Sequence, residues 1–190
     1  MSVRVIAGSA RGRRLKLVPG DSTRPIMDRV KEALFSILGT DVFNARVLDL
    51  FAGTGSVGIE ALSRGAREAV FIEKNPLAIR TITENVRIAQ VENRAVVRKM
   101  DVFTLLGMPP EHYDLIYIAP PQYKDLWSQT LKALDANPGW LSPESQVIVQ
   151  IDPAEFTQIE WEHLTMVDER RYGKTLLVFF QLKGEGEGDD

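Results

Sequence analysis

Val47-Leu48-Asp49-Leu50-Phe51-Ala52-Gly53-Thr54-Gly55-Ser56-Val57-Gly58 decides how the rest of the chain is read. Residues 47–50 read as a short buried strand, and Gly53 and Gly55 then allow the backbone to turn tightly. Residues 56–63 continue at helical spacing and are closed by Gly65. Outward from this unit the pattern repeats. Residues 69–72 read as a second strand, and Asn75-Pro76 supplies a helix cap with proline at the first helical position, opening a helix to about Ala89. Residues 95–97 and 115–118 predict further strands. A helix over 125–134 and a strand over 147–149 follow. On the N-terminal side, Ile26, Val30, Ala33, Leu34, Ile37 and Leu38 recur at helical spacing before Gly39. Strands alternating with helices imply a mostly parallel sheet covered on both faces. Residues 164–167 and 176–180, joined through Arg170-Arg171-Tyr172-Gly173-Lys174, predict an antiparallel pair at one sheet edge.

Composition agrees with an α/β domain. The chain has 190 residues, 44% hydrophobic and 26% charged, which excludes a disordered or collagen-like chain. With no cysteine and two histidines, disulfides, thiolate metal sites and cysteine nucleophiles are excluded, and no metal site is expected. No apolar run approaches the ~18 residues of a membrane span, so a cytoplasmic protein with no membrane partner is expected. The net charge of -3 conceals an uneven distribution. Residues 1–20 hold Arg4, Arg11, Arg13, Arg14 and Lys16 without an acid, whereas residues 184–190 are glycine and acid only. Residues 3–6 and 15–17 predict a basic β-hairpin. The expected organisation is a hairpin appendage over 1–20, a catalytic domain over 21–183 and an acidic tail over 184–190.

Ligands of such sheets bind outside the carboxyl ends of the strands. Acids stand there three times: Asp49, Glu73 and Asp101. Gly53, Gly55 and Gly58 match G-x-G-x-x-G, which admits a dinucleotide, or S-adenosylmethionine. A pyrophosphate would suit the helix N-terminus, but Asp49 at the start of the turn is a poor companion for it. The same acid suits a sulfonium donor. Glu73 can accept hydrogen bonds from both ribose hydroxyls. The fourth strand ends in Ala119-Pro120-Pro121-Gln122-Tyr123, a stiff loop whose tyrosine could stack on a planar base. These features favour S-adenosylmethionine.

The sequence resembles the RsmD-type 16S rRNA (guanine-N2)-methyltransferases over nearly its whole length, the acidic tail excepted. The resemblance is carried by Arg4-Val5-Ile6-Ala7-Gly8 through Arg11-Gly12-Arg13-Arg14-Leu15, by Arg24-Pro25 with Asp28-Arg29-Val30-Lys31-Glu32-Ala33-Leu34-Phe35, and by Asp49 through Gly58. It implies a Rossmann-like class I methyltransferase with an N-terminal hairpin. The implied cofactor is S-adenosylmethionine, and the implied substrate is the exocyclic amine of a guanine in 16S rRNA of the small ribosomal subunit. On this reading the cofactor set is Asp49, Phe51, Gly53, Thr54, Gly55, Glu73, Lys74, Asp101 and Val102. Arg11, Arg13, Arg14, Arg24 and Arg29 would contact the RNA, and the chain would act as a monomer.

The catalytic set is Ala119, Pro120, Pro121, Gln122 and Tyr123, and here the chain departs from the family. The family's loop reads Asp-Pro-Pro followed by Phe or Tyr, whereas Ala119 takes the aspartate's place. The side-chain acceptor for the substrate amine is therefore lost, leaving backbone carbonyls and Gln122. Two other readings follow from the residues: an RNA-binding scaffold that has lost activity, and an NAD-dependent oxidoreductase.

Overall fold

The inner strands carry apolar side chains on both of their faces, which fixes where the helices must lie. The computed structural model describes residues 3–20 and 25–184. A two-stranded antiparallel ribbon, β1 (Val3–Arg4) and β2 (Arg14–Leu15), precedes α1 (Asp28–Leu38). Then come β3 (Arg46–Asp49), α2 (Ser56–Ser63), β4 (Glu68–Glu73), α3 (Pro76–Ala89), β5 (Ala95–Lys99), α4 (Val102–Leu106), β6 (Leu115–Ile118), α5 (Leu126–Ala136) and β7 (Gln146–Ile151). The chain closes with β8 (Leu164–Tyr172) and β9 (Thr175–Leu182). The seven-stranded sheet has the order β5-β4-β3-β6-β7-β9-β8. Its first five strands are parallel, while β9 runs antiparallel to β7 and to β8. This is the expected doubly wound α/β sheet with an antiparallel edge.

Alternate residues build the two cores. Val47, Phe71, Tyr117 and Ile148 pack with the buried faces of α1, α2 and α3. Leu48, Val70, Ile116 and Val149 pack with α4, α5, Trp127 and Trp140. Strand order reverses between β3 and β6, so the carboxyl ends of β3, β4 and β6 open onto one crevice.

The hairpin is bound to α2 and α3 by buried polar contacts. The Glu60 carboxylate accepts the amides of Ile6 and Ala7 at 2.9 and 3.1 Å. Ser63 Oγ accepts the Ala10 amide at 2.9 Å and donates to the Ala7 carbonyl at 2.6 Å. Lys31, fully buried, donates to the Arg4 carbonyl at 2.5 Å and to Ser56 Oγ at 3.0 Å, with Glu60 at 3.4 Å. Asn85 bonds both the amide and the carbonyl of Lys16, and donates to the Thr54 carbonyl. Lys31, Glu60 and Asn85 thus hold the hairpin, α1 and the glycine turn as one piece.

Two expectations need correction, and one short helix was not foreseen. The hairpin strands are two residues each, because the chain between them turns aside to reach Ser63. Arg170, Arg171 and Tyr172 lie inside β8 rather than in a loop, and the turn is Gly173-Lys174 alone. As an edge strand β8 keeps most of its side chains in solvent, so its sequence shows no apolar alternation. Residues 102–106 form α4, capped by Asp101, whose Oδ1 accepts the Phe103 and Thr104 amides. Five residues are too few to show helical periodicity. Arg24 and residues 185–190 lie outside the described residues. Among the described residues no helix is long and apolar enough to cross a membrane.

Candidate active site

The crevice encloses about 840 Å³. One half is built by the ends of β3, β4 and β5, and the other by the loop after β6 with β7 and the β8–β9 turn. Pro25 and Ile26, just before α1, close a third side.

At the floor lies Asp49, 1% exposed. Burial raises its carboxyl to about 7, the charge of Glu73 adds to the effect, and the amides of Gly58 and Phe51 oppose it. Its Oδ1 has no hydrogen-bond partner among the described residues. A buried, unsatisfied carboxylate oxygen is costly unless a donor or cation meets it.

The turn above Asp49 uses its glycines differently. Gly53 has φ +56°, and a Cβ there would enter the open crevice. Gly55 caps α2 at φ +79° but does not line the crevice; a Cβ would touch Ile82. At Gly58 a Cβ would stand 2.3 Å from Phe71 Cε1, so the third glycine seats α2 against β4.

Glu73 closes β4 with both oxygens engaged. Oε2 accepts the Gly53 amide at 3.0 Å, and Oε1 accepts the amides of Lys74 and Asn75 at 2.9 Å. Oε1 has both lone pairs occupied, whereas Oε2 keeps a second lone pair for a ligand hydroxyl. Asp101 points Oδ2 toward Lys74 Nζ at 4.0 Å while capping α4. Of the nine residues expected to hold a cofactor, all except Gly55 line the crevice.

Ala119, Pro120, Pro121 and Gln122 line the opposite wall. Tyr123 does not. At φ +61° its hydroxyl donates to Asp152 Oδ2 at 3.0 Å and its amide to Glu155 Oε1 at 2.6 Å. That anchorage keeps the ring 69% exposed and outside the crevice, which differs from the expected stacking position.

Sequence reasoning missed Tyr117 and Gln150, which share this wall. Tyr117 stands beside Asp49 in the parallel register, and its hydroxyl donates to Gln150 Oε1. Burial, with the Asp49 charge second, holds that hydroxyl well above its ordinary value and therefore protonated. The readable signal was a polar residue, Gln150, directly after the apolar run Val147–Val149 and so near the carboxyl end of its strand. Lys124 and Lys174 stand at the rim and were likewise not read as site residues.

Of the expected RNA-contacting arginines, Arg11, Arg13, Arg14 and Arg29 do not line the crevice. Arg11, Arg14 and Arg29 are exposed. Arg13 differs: its guanidinium donates to the Ile88 carbonyl at 2.6 Å and to Gln90 Oε1 at 2.9 Å, where it holds the hairpin to the end of α3. Among the described residues no group of three or more His, Asp or Glu side chains is placed to hold a metal ion.

Comparison with known proteins gives concordant matches. The family model described as "Conserved hypothetical protein 95" matches residues 3–181. The chain is 33% identical over 185 residues to the "Putative rRNA methyltransferase YlbH" of Bacillus subtilis (strain 168), covering 96% of this chain and 100% of that protein. It is 29% identical over 187 residues to the "Ribosomal RNA small subunit methyltransferase D" of Escherichia coli (strain K12), covering 98% and 93%. A solved structure described as "Putative methyltransferase yhhF from Escherichia coli" superposes with a TM-score of 0.86 at 28% identity, covering 97% of this chain and all of that one.

Proposed function

Because the chain belongs to the conserved hypothetical protein 95 family, we propose that it methylates small-subunit ribosomal RNA. The methyl donor is S-adenosylmethionine, and the acceptor is the exocyclic N2 amine of a guanine in 16S rRNA. The observation that carries this reading is the unpartnered Asp49 oxygen beneath the glycine turn. A donor bearing an ammonium and a sulfonium suits a buried carboxylate, whereas a pyrophosphate at the same turn would stand against it. This electrostatic mismatch counts against a nicotinamide dinucleotide.

The residues present fit the donor. Asp49 and the open Gly53 position would receive its amino-acid end. The remaining lone pair of Glu73 Oε2 would accept a ribose hydroxyl, with Asp101, Val102 and Phe103 around the adenine. When bound, S-adenosylmethionine supplies a methyl group on a sulfonium, which departs as a neutral thioether.

The remaining chemistry belongs to the chain. An amine conjugated to a base is a weak nucleophile until its hydrogens are held and its lone pair is aimed. Orientation of this kind contributes about 7–11 kcal/mol in favourable cases. Pro120 and Pro121 fix the loop that ends β6, so its backbone carbonyls are rigid acceptors. Once methylated, the nitrogen carries excess positive charge and releases a proton to solvent without a strong base. Arg11, Arg14 and Arg29 supply exposed cations for phosphate contact, which positions RNA without reading its sequence. The chain acts as a cytoplasmic monomer on this reading.

The test is transfer of radiolabelled methyl to small subunits lacking the modification, followed by mapping of the labelled base. Label at a guanine amine is expected. Intact binding of S-adenosylhomocysteine without label on subunits or naked 16S rRNA would favour the alternative of an inactive RNA-binding scaffold, to which Ala119 gives a specific motive.

A further inference from the structure

We infer that Gln150 is the side-chain acceptor for the substrate amine, in place of the carboxylate that Ala119 lacks, and that Tyr117 holds it in orientation. The inference rests on the methyl-transfer reading and adds a catalytic residue to it.

Register supplies the first observation. In the parallel β6–β7 ladder Tyr117 pairs with Ile148 and Ile118 with Val149. Continued by one residue past the end of that ladder, the same register would set Ala119 beside Gln150. Neighbouring residues in register project to the same face of a sheet, so the carboxamide lies next to the space an aspartate at 119 would occupy. Both residues line the same crevice. Gln122, the other amide on this wall, is exposed.

The second observation is the hydrogen bond. Gln150 Oε1 accepts the Tyr117 hydroxyl. An amide oxygen has two lone pairs, and Tyr117 uses one. The other lone pair can accept an amine hydrogen while the bond from Tyr117 holds the carboxamide in place. Tyr117 is itself fixed within the core beside Asp49, at 5% exposure. A neutral amide also serves this site better than a second carboxylate, because Asp49 already places one acid in a poorly solvated floor.

The experiment compares kcat, KM for unmethylated small subunits, S-adenosylhomocysteine affinity and thermal stability across Gln150→Ala, Gln150→Glu, Tyr117→Phe and the double variant Ala119→Asp/Gln150→Ala. Gln150→Ala should lower kcat by about 10²-fold, with KM and S-adenosylhomocysteine affinity within about threefold of the parent. Gln150→Glu, which keeps the oxygen, should retain kcat within about tenfold, and Tyr117→Phe should fall between them. The double variant should recover at least about tenfold over Gln150→Ala, because a carboxylate returns beside the vacated amide. Parental kcat in Gln150→Ala would overturn the inference. So would a loss matched by equal losses of affinity and stability, with no recovery in the double variant. A parent that binds S-adenosylhomocysteine but methylates no subunit would overturn the methyl-transfer reading, a result distinct from either of these.

Discussion

Glu73 Oε2 accepts the amide of Gly53 at 3.0 Å, so the acid that ends β4 fixes the glycine turn that follows β3. Its other oxygen fixes the entry to α3 through Lys74 and Asn75. Glu73→Ala removes the shared acceptor and three backbone anchors together. S-adenosylhomocysteine affinity, measured by calorimetry, should weaken by at least about 1–3 kcal/mol. Glu73→Gln should lose less, since one oxygen remains.

Asp49 should make cofactor binding depend on pH. Its carboxyl titrates at about 7 in the folded chain against 3.8 ordinarily. The native state therefore holds a proton that the unfolded chain has released, and native stability falls as pH rises through that interval. Asp49→Asn should raise the melting temperature of the donor-free chain at pH 8, with a gain that shrinks toward pH 5. For the parent, S-adenosylhomocysteine affinity should rise with pH by up to about tenfold per unit below 7 and then level off. In Asp49→Asn that slope should vanish.

Lys31 and Glu60 are both fully buried, 3.4 Å apart. Burial pushes the Lys31 ammonium below its ordinary value, and Glu60 pulls the other way. Lys31→Met leaves Glu60 with Arg64 and the hairpin amides but without its buried cation. Urea unfolding should report a loss of about 3–5 kcal/mol. Adding Glu60→Gln should recover part of it, because the orphaned charge is then gone.

The glycines of the turn should separate in a binding assay. Gly58→Ala drives a methyl group into Phe71 and should cost about 1–3 kcal/mol of stability, with unchanged affinity in the folded fraction. Gly53→Ala places its methyl group in the crevice at a left-handed φ. It should weaken S-adenosylhomocysteine binding.

The hairpin arginines should divide in the same way. Arg11→Ala/Arg14→Ala should weaken subunit binding and reduce the slope of log affinity against log salt by about 1 for each lost phosphate contact. Arg13→Ala should instead lower the melting temperature, because it releases the Ile88 carbonyl and Gln90.

Much of this arrangement was legible because it is local. Residues 69–72, and residues 47–50 apart from Asp49, are apolar without alternation, as strands buried on both faces must be, and Asn75-Pro76 marks the start of α3 within two residues. The acids after three successive strands led directly to the crevice. What escaped depends on partners distant in sequence. Gln150 becomes visible beside Ala119 only when β6 and β7 are in register. Arg13 reads as a free cation until α3 brings the Ile88 carbonyl to it. Tyr123 reads as a ring over the pocket until Asp152 and Glu155 draw it outward.

Helix α2 begins at the cofactor turn and carries Glu60 and Ser63, the residues that grip the hairpin, along its eight-residue length. At 1.5 Å of rise per residue the two tasks lie only about 6–10 Å apart on a single rod. The spacing between the hairpin and the glycine turn is therefore a built-in ruler. A transplanted arm would keep that gauge only if Glu60, Ser63 and their backbone partners travelled with it as a matched joint.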